Sequence, residues 1–303
     1  MCYNRNDYDY KDRSFEKLMG KNNRHQPGRM PVTRGMDMAS VFTPKDCARK
    51  AKNIVYSNEN KVIIDEFITI VGMKEKFAEH EVPVPNKIVM YGPPGTGKTL
   101  TAFHLAHQLD LPLVIVRLDS LIHAYLGETG SNIRKVFEYA KYTPCVLFMD
   151  EFDAIARTRD NNDEIKEMAR VVNTLLQCLD EFHSDSIFMA ATNLANELDH
   201  AIWRRFDTKM TFYAPDESSR VKYLNLLLGQ FPIEDGLVQV ISSQLQNCSY
   251  ADIEQIVLKA KRKAIINDQS LTEQAVMTSI LEYQPQKWNR EQIGIVSTSS
   301  YRY

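Results

Sequence analysis

Cysteine is scarce in this 303-residue chain and poorly placed for cross-linking. The five that occur, Cys2, Cys47, Cys145, Cys178 and Cys248, are odd in number, widely spaced and without a CxxC pair. That argues against a disulfide framework and a structural zinc site, and it suits a reducing compartment. Long apolar runs are missing as well. Nothing approaches the roughly 18 to 20 residues that span a bilayer, and the opening MCYNRNDYDYKDR has no apolar signal region. The expectation is an unexported, cytoplasmic chain with no membrane partner. Charge of one sign is also lacking: 37 Lys and Arg against 39 Asp and Glu leave a net −2. Affinity for nucleic acid cannot then come from bulk charge and would need a local patch. Apolar residues are not in deficit. At 44% hydrophobic and 25% charged the chain is not globally disordered, and its length suffices for one large or two modest domains.

Residues 1–34 hold eight Lys or Arg and four Asp or Glu, a local +4 that leaves −6 for the rest. The expected organisation opens with a mobile basic tail over 1–43 and a helical linker over 44–86. In the linker, Ile63, Phe67, Ile70 and Phe77 follow helical spacing, although β-branched content leaves a strand open. From Lys87 the pattern becomes short apolar runs at 88–91, 113–116, 146–149, 187–191 and 210–213, separated by helix-length segments. Five such runs predict a five-stranded parallel sheet with crossover helices, an α/β unit over 87–214. After Ala214-Pro215-Asp216 the strands stop. Helices are expected at about 216–229, 235–246, 249–267 and 271–283, a small all-α unit over 215–284 followed by a tail over 285–303.

Residues 92–99 read GPPGTGKT, the pattern GxxxxGK[ST], directly after a strand and before a helix. A loop that turns several backbone N–H groups around a polyphosphate needs glycine where side chains would block the approach. Gly92, Pro93, Pro94, Gly95, Thr96 and Gly97 would form that loop, with Leu100 opening the helix whose N-terminus favours an anion. Lys98 would reach the β and γ phosphates and Thr99 would ligate Mg²⁺. Some fifty residues on, Val146–Met149 ends in Asp150-Glu151. Acids at the C-terminal end of a buried strand emerge where open α/β sheets bind ligands. Asp150 would hold Mg²⁺, and Glu151 would act as general base on the attacking water.

These motifs resemble the AAA+ ATPases, specifically the AAA family proper that includes katanin and spastin, over about 87–283. The resemblance extends to stand-alone bacterial members, some encoded beside a subtilisin-like protease. It implies a P-loop NTPase core with a small helical lid, ATP and Mg²⁺ as cofactors, and ATP hydrolysis to ADP and phosphate. Asn193, in AATN, would be the sensor that bonds the attacking water or the γ-phosphate. Arg204 and Arg205, in WRRFD, would be two arginine fingers that enter a neighbouring subunit's site, which requires a homo-oligomer, a hexamer. Tyr125 and Leu126 fall at the pore loop that grips extended polypeptide. Ala251 lies where the lid meets the nucleotide, but Tyr250 replaces the family's glycine there, and Gly72 does not align with the adenine-pocket segment. The implied task is a ring-forming motor that remodels or threads a protein substrate, working with a partner effector or protease. A nucleotide-dependent switch that holds or releases a partner is the alternative, and a DNA remodeller acting through the basic tail is disfavoured by the acidic body. His104 and His107, three apart on the helix after the loop, read as an ordinary helix surface rather than a metal site.

Overall fold

A computed structural model describes residues 39–118, 129–155, 162–194 and 198–288, together with the backbone of two short strands, Val32–Thr33 (β1) and Met36–Asp37 (β2). The chain continues through β3 (Ala39–Phe42), α1 (Pro44–Lys50), α2 (Asn58–Gly72), α3 (Lys74–Glu79), β4 (Lys87–Tyr91), α4 (Lys98–Gln108), β5 (Leu113–Val116), α5 (Thr129–Tyr142) and β6 (Val146–Met149). A short 3₁₀ turn, Phe152–Ile155, then leads to α6 (Asn162–Asp180), β7 (Ile187–Thr192), α7 (His200–Trp203) and β8 (Thr208–Thr211). Four helices follow: α8 (Glu217–Leu228), α9 (Leu237–Gln244), α10 (Tyr250–Ile266) and α11 (Glu273–Tyr283). No helix among the described residues is long and apolar enough to cross a membrane.

The sheet runs β3-β5-β6-β7-β4-β8. All neighbours in it are parallel except β3, which pairs antiparallel with β5 from Ala39 opposite Val116 to Phe42 opposite Leu113. The five expected strands are present as β4 to β8, so the expected sheet is corrected from five strands to six. The sixth lies in residues assigned to the tail. A four-residue segment, Ala-Ser-Val-Phe, is too short for periodicity to distinguish it from loop, and its place is set by packing: Phe42 meets the Phe103 ring edge-on at 5.2 Å.

Because successive strand residues point to opposite faces, each strand feeds two cores. Val89, Leu147, Met149, Phe188 and Ala190 face α5 and α6, where Val136, Phe137, Leu175 and Leu179 are buried. Ile88, Met90, Phe148, Met189 and Ala191 face α2 and α4, against Ile64, Phe67, Ala102 and Leu105. This double burial explains the uninterrupted apolar runs in the sequence. The segment that left a strand open is helical: Ser57 caps α2 by accepting from the amide of Asn60, and the helix breaks at Met73 before α3. α8 to α11 enclose a third core that includes Leu224, Ile241, Ile256, Val257 and Val276.

Strand order positions the site. β7 lies between β4 and β6, so the C-terminal ends of three adjacent strands carry the GPPGTGKT loop, the Asn193 turn and the Asp150 turn side by side.

Candidate functional site

The GPPGTGKT loop joins β4 to α4 in a conformation that suits glycine. Gly92 has φ of 144°, and a Cβ there would stand 2.0 Å from the carbonyl oxygen of Phe212, just past β8. Gly97, at φ 101°, takes the N-cap place of α4 without a side-chain cap. Ser57, Asp216 and Ser249, by contrast, cap α2, α8 and α10 with their own oxygens. The first amides of α4 thus remain open to an outside acceptor. Thr96 donates from Oγ1 to the Pro93 carbonyl at 2.8 Å and braces the turn from within. Pro94, Gly95 and Leu100 are on its exposed side.

Lys98 is buried, with 7% of its surface exposed. Its Nζ donates to the carbonyl oxygens of Gly92 and Pro93, at 2.7 and 2.8 Å, and to Oδ1 of Asn193 at 2.8 Å. Burial pulls its pKa down from 10.5 to about 8, against the attraction of Asp150 and Asp153. Next to it, Thr99 Oγ1 donates to Asp150 Oδ2 at 2.6 Å, while the Glu151 amide donates to Asp150 Oδ1 at 2.9 Å. Glu151 itself adopts φ of 51° and is exposed. The turn therefore separates the two acids, one engaged with the loop and the other facing outward.

Two residues that were not singled out in the sequence tie this cluster together. Thr192 Oγ1 donates to Asp153 Oδ1 at 2.9 Å and accepts the Leu194 amide at 3.0 Å. Both Thr192 and Asp153 are buried, so the end of β7, which carries Asn193, is fastened to the acidic turn after β6. The only signal in the sequence was an acid three positions beyond Asp150.

A cavity of about 200 Å³ adjoins the loop, lined by residues 54–60, Thr96 and Gly97, residues 212–216, Ser219 and Tyr250. The 54–60 segment forms one wall of it. It is held there by Asn60, whose Nδ2 donates to the Thr211 carbonyl at 2.9 Å. Tyr250 packs edge-on against Tyr223 at 4.9 Å, and burial pushes its phenol up to about 12. The helical unit also touches the loop directly: the Ala251 amide donates to the Gly95 carbonyl at 3.1 Å.

Residues 88–213 match the family model described as ATPase family associated with various cellular activities (AAA). The chain belongs to the AAA+ ATPases. It is 42% identical over 214 residues to an uncharacterized AAA family ATPase, y4kL, of Sinorhizobium fredii, a match covering 71% of this chain and 64% of that one. It is 31% identical over 237 residues to the ATP-dependent zinc metalloprotease FtsH of Bacillus subtilis, covering 75% of this chain and 37% of that one. A 26S proteasome regulatory subunit 8 homolog of Encephalitozoon cuniculi is 33% identical over 199 residues, covering 63% and 51%. The chain thus spans less than two thirds of the length of each.

Membership implies nucleotide binding, and the residues of this AAA+ chain fit it. The loop is a cradle that a Cβ at Gly92 would fill, its lysine is buried among acceptors, and α4 starts without a side-chain cap. Thr99 and Asp150 offer paired hard oxygen donors of the kind that suits Mg²⁺. The two arginines lie apart from this cluster, on the turn after α7, and no hydrogen bond joins either to it among the described residues. Arg204 is exposed. Arg205 is bound to Asp180 in a pair that raises the guanidinium pKa and lowers that of the carboxyl. Tyr125 and Leu126 lie outside the described residues.

Proposed function

We propose that this AAA+ chain hydrolyses ATP with Mg²⁺ and works as a ring-forming, hexameric motor that remodels or threads a protein substrate. The observation that carries the catalytic part is the pairing of Thr99 with Asp150 beside the contact of Lys98 with Asn193, at the ends of three adjacent strands. When bound, Mg²⁺-ATP supplies a reactive phosphoanhydride whose charge is partly offset by the cation. Lys98 would hold the phosphate oxygens with its ammonium, exchanging its carbonyl partners for stronger charged acceptors. Thr99 Oγ1 and Asp150 would hold the cation. The Glu151 carboxylate takes the proton of the attacking water, and Asn193, anchored through Thr192 and Asp153, orients that water. The cavity beside Thr96 takes the base, between the 54–60 segment and Tyr250. Arginine from an adjoining copy completes the charge compensation.

The names of the relatives, an ATP-dependent protease and a proteasome regulatory subunit, support a protein as the substrate and a protease or other effector as the partner. Tyr125 and Leu126 would grip that substrate through aromatic and apolar contact. Lys98→Ala is expected to abolish nucleotide binding. Glu151→Gln is expected to retain ATP, stop turnover and accumulate as a ring in native mass spectrometry. Undiminished turnover in Glu151→Gln would remove that residue from the mechanism, and failure to assemble with any nucleotide would reject the ring. Turnover indifferent both to unfolded polypeptide and to Tyr125→Ala would favour a switch over a motor.

A further inference from the structure

The helical unit meets the phosphate loop through the first turn of α10, and the fit leaves no room at Gly95. A Cβ there would stand 2.7 Å from Ser249 Oγ and 2.9 Å from the Ala251 methyl, beside the hydrogen bond from the Ala251 amide to the Gly95 carbonyl. That turn is built around Asp252. Its Oδ2 accepts from the Ser249 amide at 3.1 Å and from Ser249 Oγ at 2.6 Å, and the Asp252 amide donates back to Ser249 Oγ at 3.1 Å. The other oxygen, Oδ1, accepts the phenol of Tyr283 at 3.1 Å.

Tyr283 is the last residue of α11. Beside it, Glu282 bridges Lys259 and Lys263 of α10 at 2.8 and 2.7 Å. The helix stops at Gln284, whose φ is 51°, and the chain continues until the Trp288 amide donates to the Asn247 carbonyl at 2.9 Å. Asn247 stands two residues before Ser249. The 247–252 turn is thus tied at both of its ends to one short segment, which is not part of any core: Glu282 and Tyr283 are exposed.

We infer that residues 282–288 form a strap that holds the 247–252 turn on the phosphate loop, with Tyr283 a positioning residue for the phosphates of the nucleotide. A hydroxyl donating to a carboxylate is a charge-assisted bond, and here it fixes the carboxylate that orients Ser249. Ser249 and Ala251 in turn back the loop at Gly95. Amides that must converge on a polyphosphate bind it better when they need no ordering, so a slack turn costs affinity at the phosphates and not at the base. The inference rests on the nucleotide-binding reading above.

Calorimetric titration of the full chain with ATP and with inorganic triphosphate tests it. Tyr283→Phe removes only the hydroxyl and is expected to weaken both ligands about fivefold, the scale of one lost hydrogen bond. Trp288→Pro removes the amide donor and should do the same, whereas Trp288→Ala keeps that amide and should bind within about twofold of wild type. In steady-state kinetics the loss should appear in KM for ATP, with kcat held within about twofold, because Asp150, Glu151 and Asn193 follow other strands. A purely structural role for the segment predicts lower melting temperatures with triphosphate affinity intact. Triphosphate affinity unchanged in either Tyr283→Phe or Trp288→Pro overturns the strap, and so do equal losses in Trp288→Pro and Trp288→Ala. A wild type that binds neither ligand refutes the nucleotide reading instead. The strap is then judged by hydrogen exchange at the Ala251 amide, which Tyr283→Phe accelerates if the strap holds the turn on the loop and leaves unchanged if it does not.

Discussion

Replacing Lys98 with methionine keeps the length of the side chain and removes its charge, and the consequence for stability can be worked out as a function of pH. Lys98 is 7% exposed, and burial lowers its pKa from 10.5 to about 8. Such a fall corresponds to about 3 kcal/mol of differential interaction between the protonation states. The sign follows from proton counting. Below pH 8 the lysine is charged in both folded and unfolded chains, so the folded state carries the full desolvation penalty. Between pH 8 and 10.5 the unfolded chain holds the proton that the folded chain has released, and stability rises with pH. The gain attributable to Lys98 is about 1.4 kcal/mol by pH 9 and about 2.6 kcal/mol by pH 10. Thiols shielded from water act in the opposite sense: desolvation pushes Cys47 and the half-buried Cys178 up to about 11 and Cys145 to about 12, so they stay protonated when folded. Comparing Lys98→Met with wild type cancels them. Urea denaturation at pH 7, 8, 9 and 10 should show wild type gaining on the variant by those amounts. A stability difference that is flat or falls over this range would refute the reasoning that the amine is buried and electrostatically strained without ligand.

Two further outcomes follow from the geometry. Gly92→Ala places a methyl group 2.0 Å from the Phe212 carbonyl oxygen at φ 144°. It should cost about 3 kcal/mol and lower Tm by roughly 6–12 °C, whereas a melting curve superimposable on wild type would show that the loop is not pressed against β8. Tyr250→Ala opens the cavity wall against the helical unit. Isothermal titration should show ATP affinity falling about tenfold, the scale of losing one aromatic contact, with inorganic triphosphate affinity unchanged. Equal losses for both ligands would place Tyr250 at the phosphates and not at the base.

The apolar runs of β4 to β8 were visible because each strand is buried on both faces, which demands nonpolar residues at consecutive positions and leaves a long-range signature in a linear text. The motif GPPGTGKT was equally legible, since a tight turn toward a ligand restricts residue type over eight adjacent positions. β3 was hidden because it is short and because pairing with β5, rather than its own pattern, makes it a strand. The cavity wall at 54–60 was hidden for a related reason: Asn60 reaches Thr211 across 151 positions, a contact that no local window contains.

Arg204 and Arg205 show the boundary most sharply. They are the same residue type at consecutive positions, and nothing in WRRFD distinguishes them. Local chemistry follows from which residues are neighbours along the backbone, and that much is written in the chain: glycine where φ is positive, acids at a strand's end, apolar residues where both faces are covered. Which of two identical side chains is tied down depends on what a distant segment brings within 3 Å, and Asp180 comes within reach of Arg205 only after α6 has packed on the sheet. Proximity of that kind is a property of the folded arrangement.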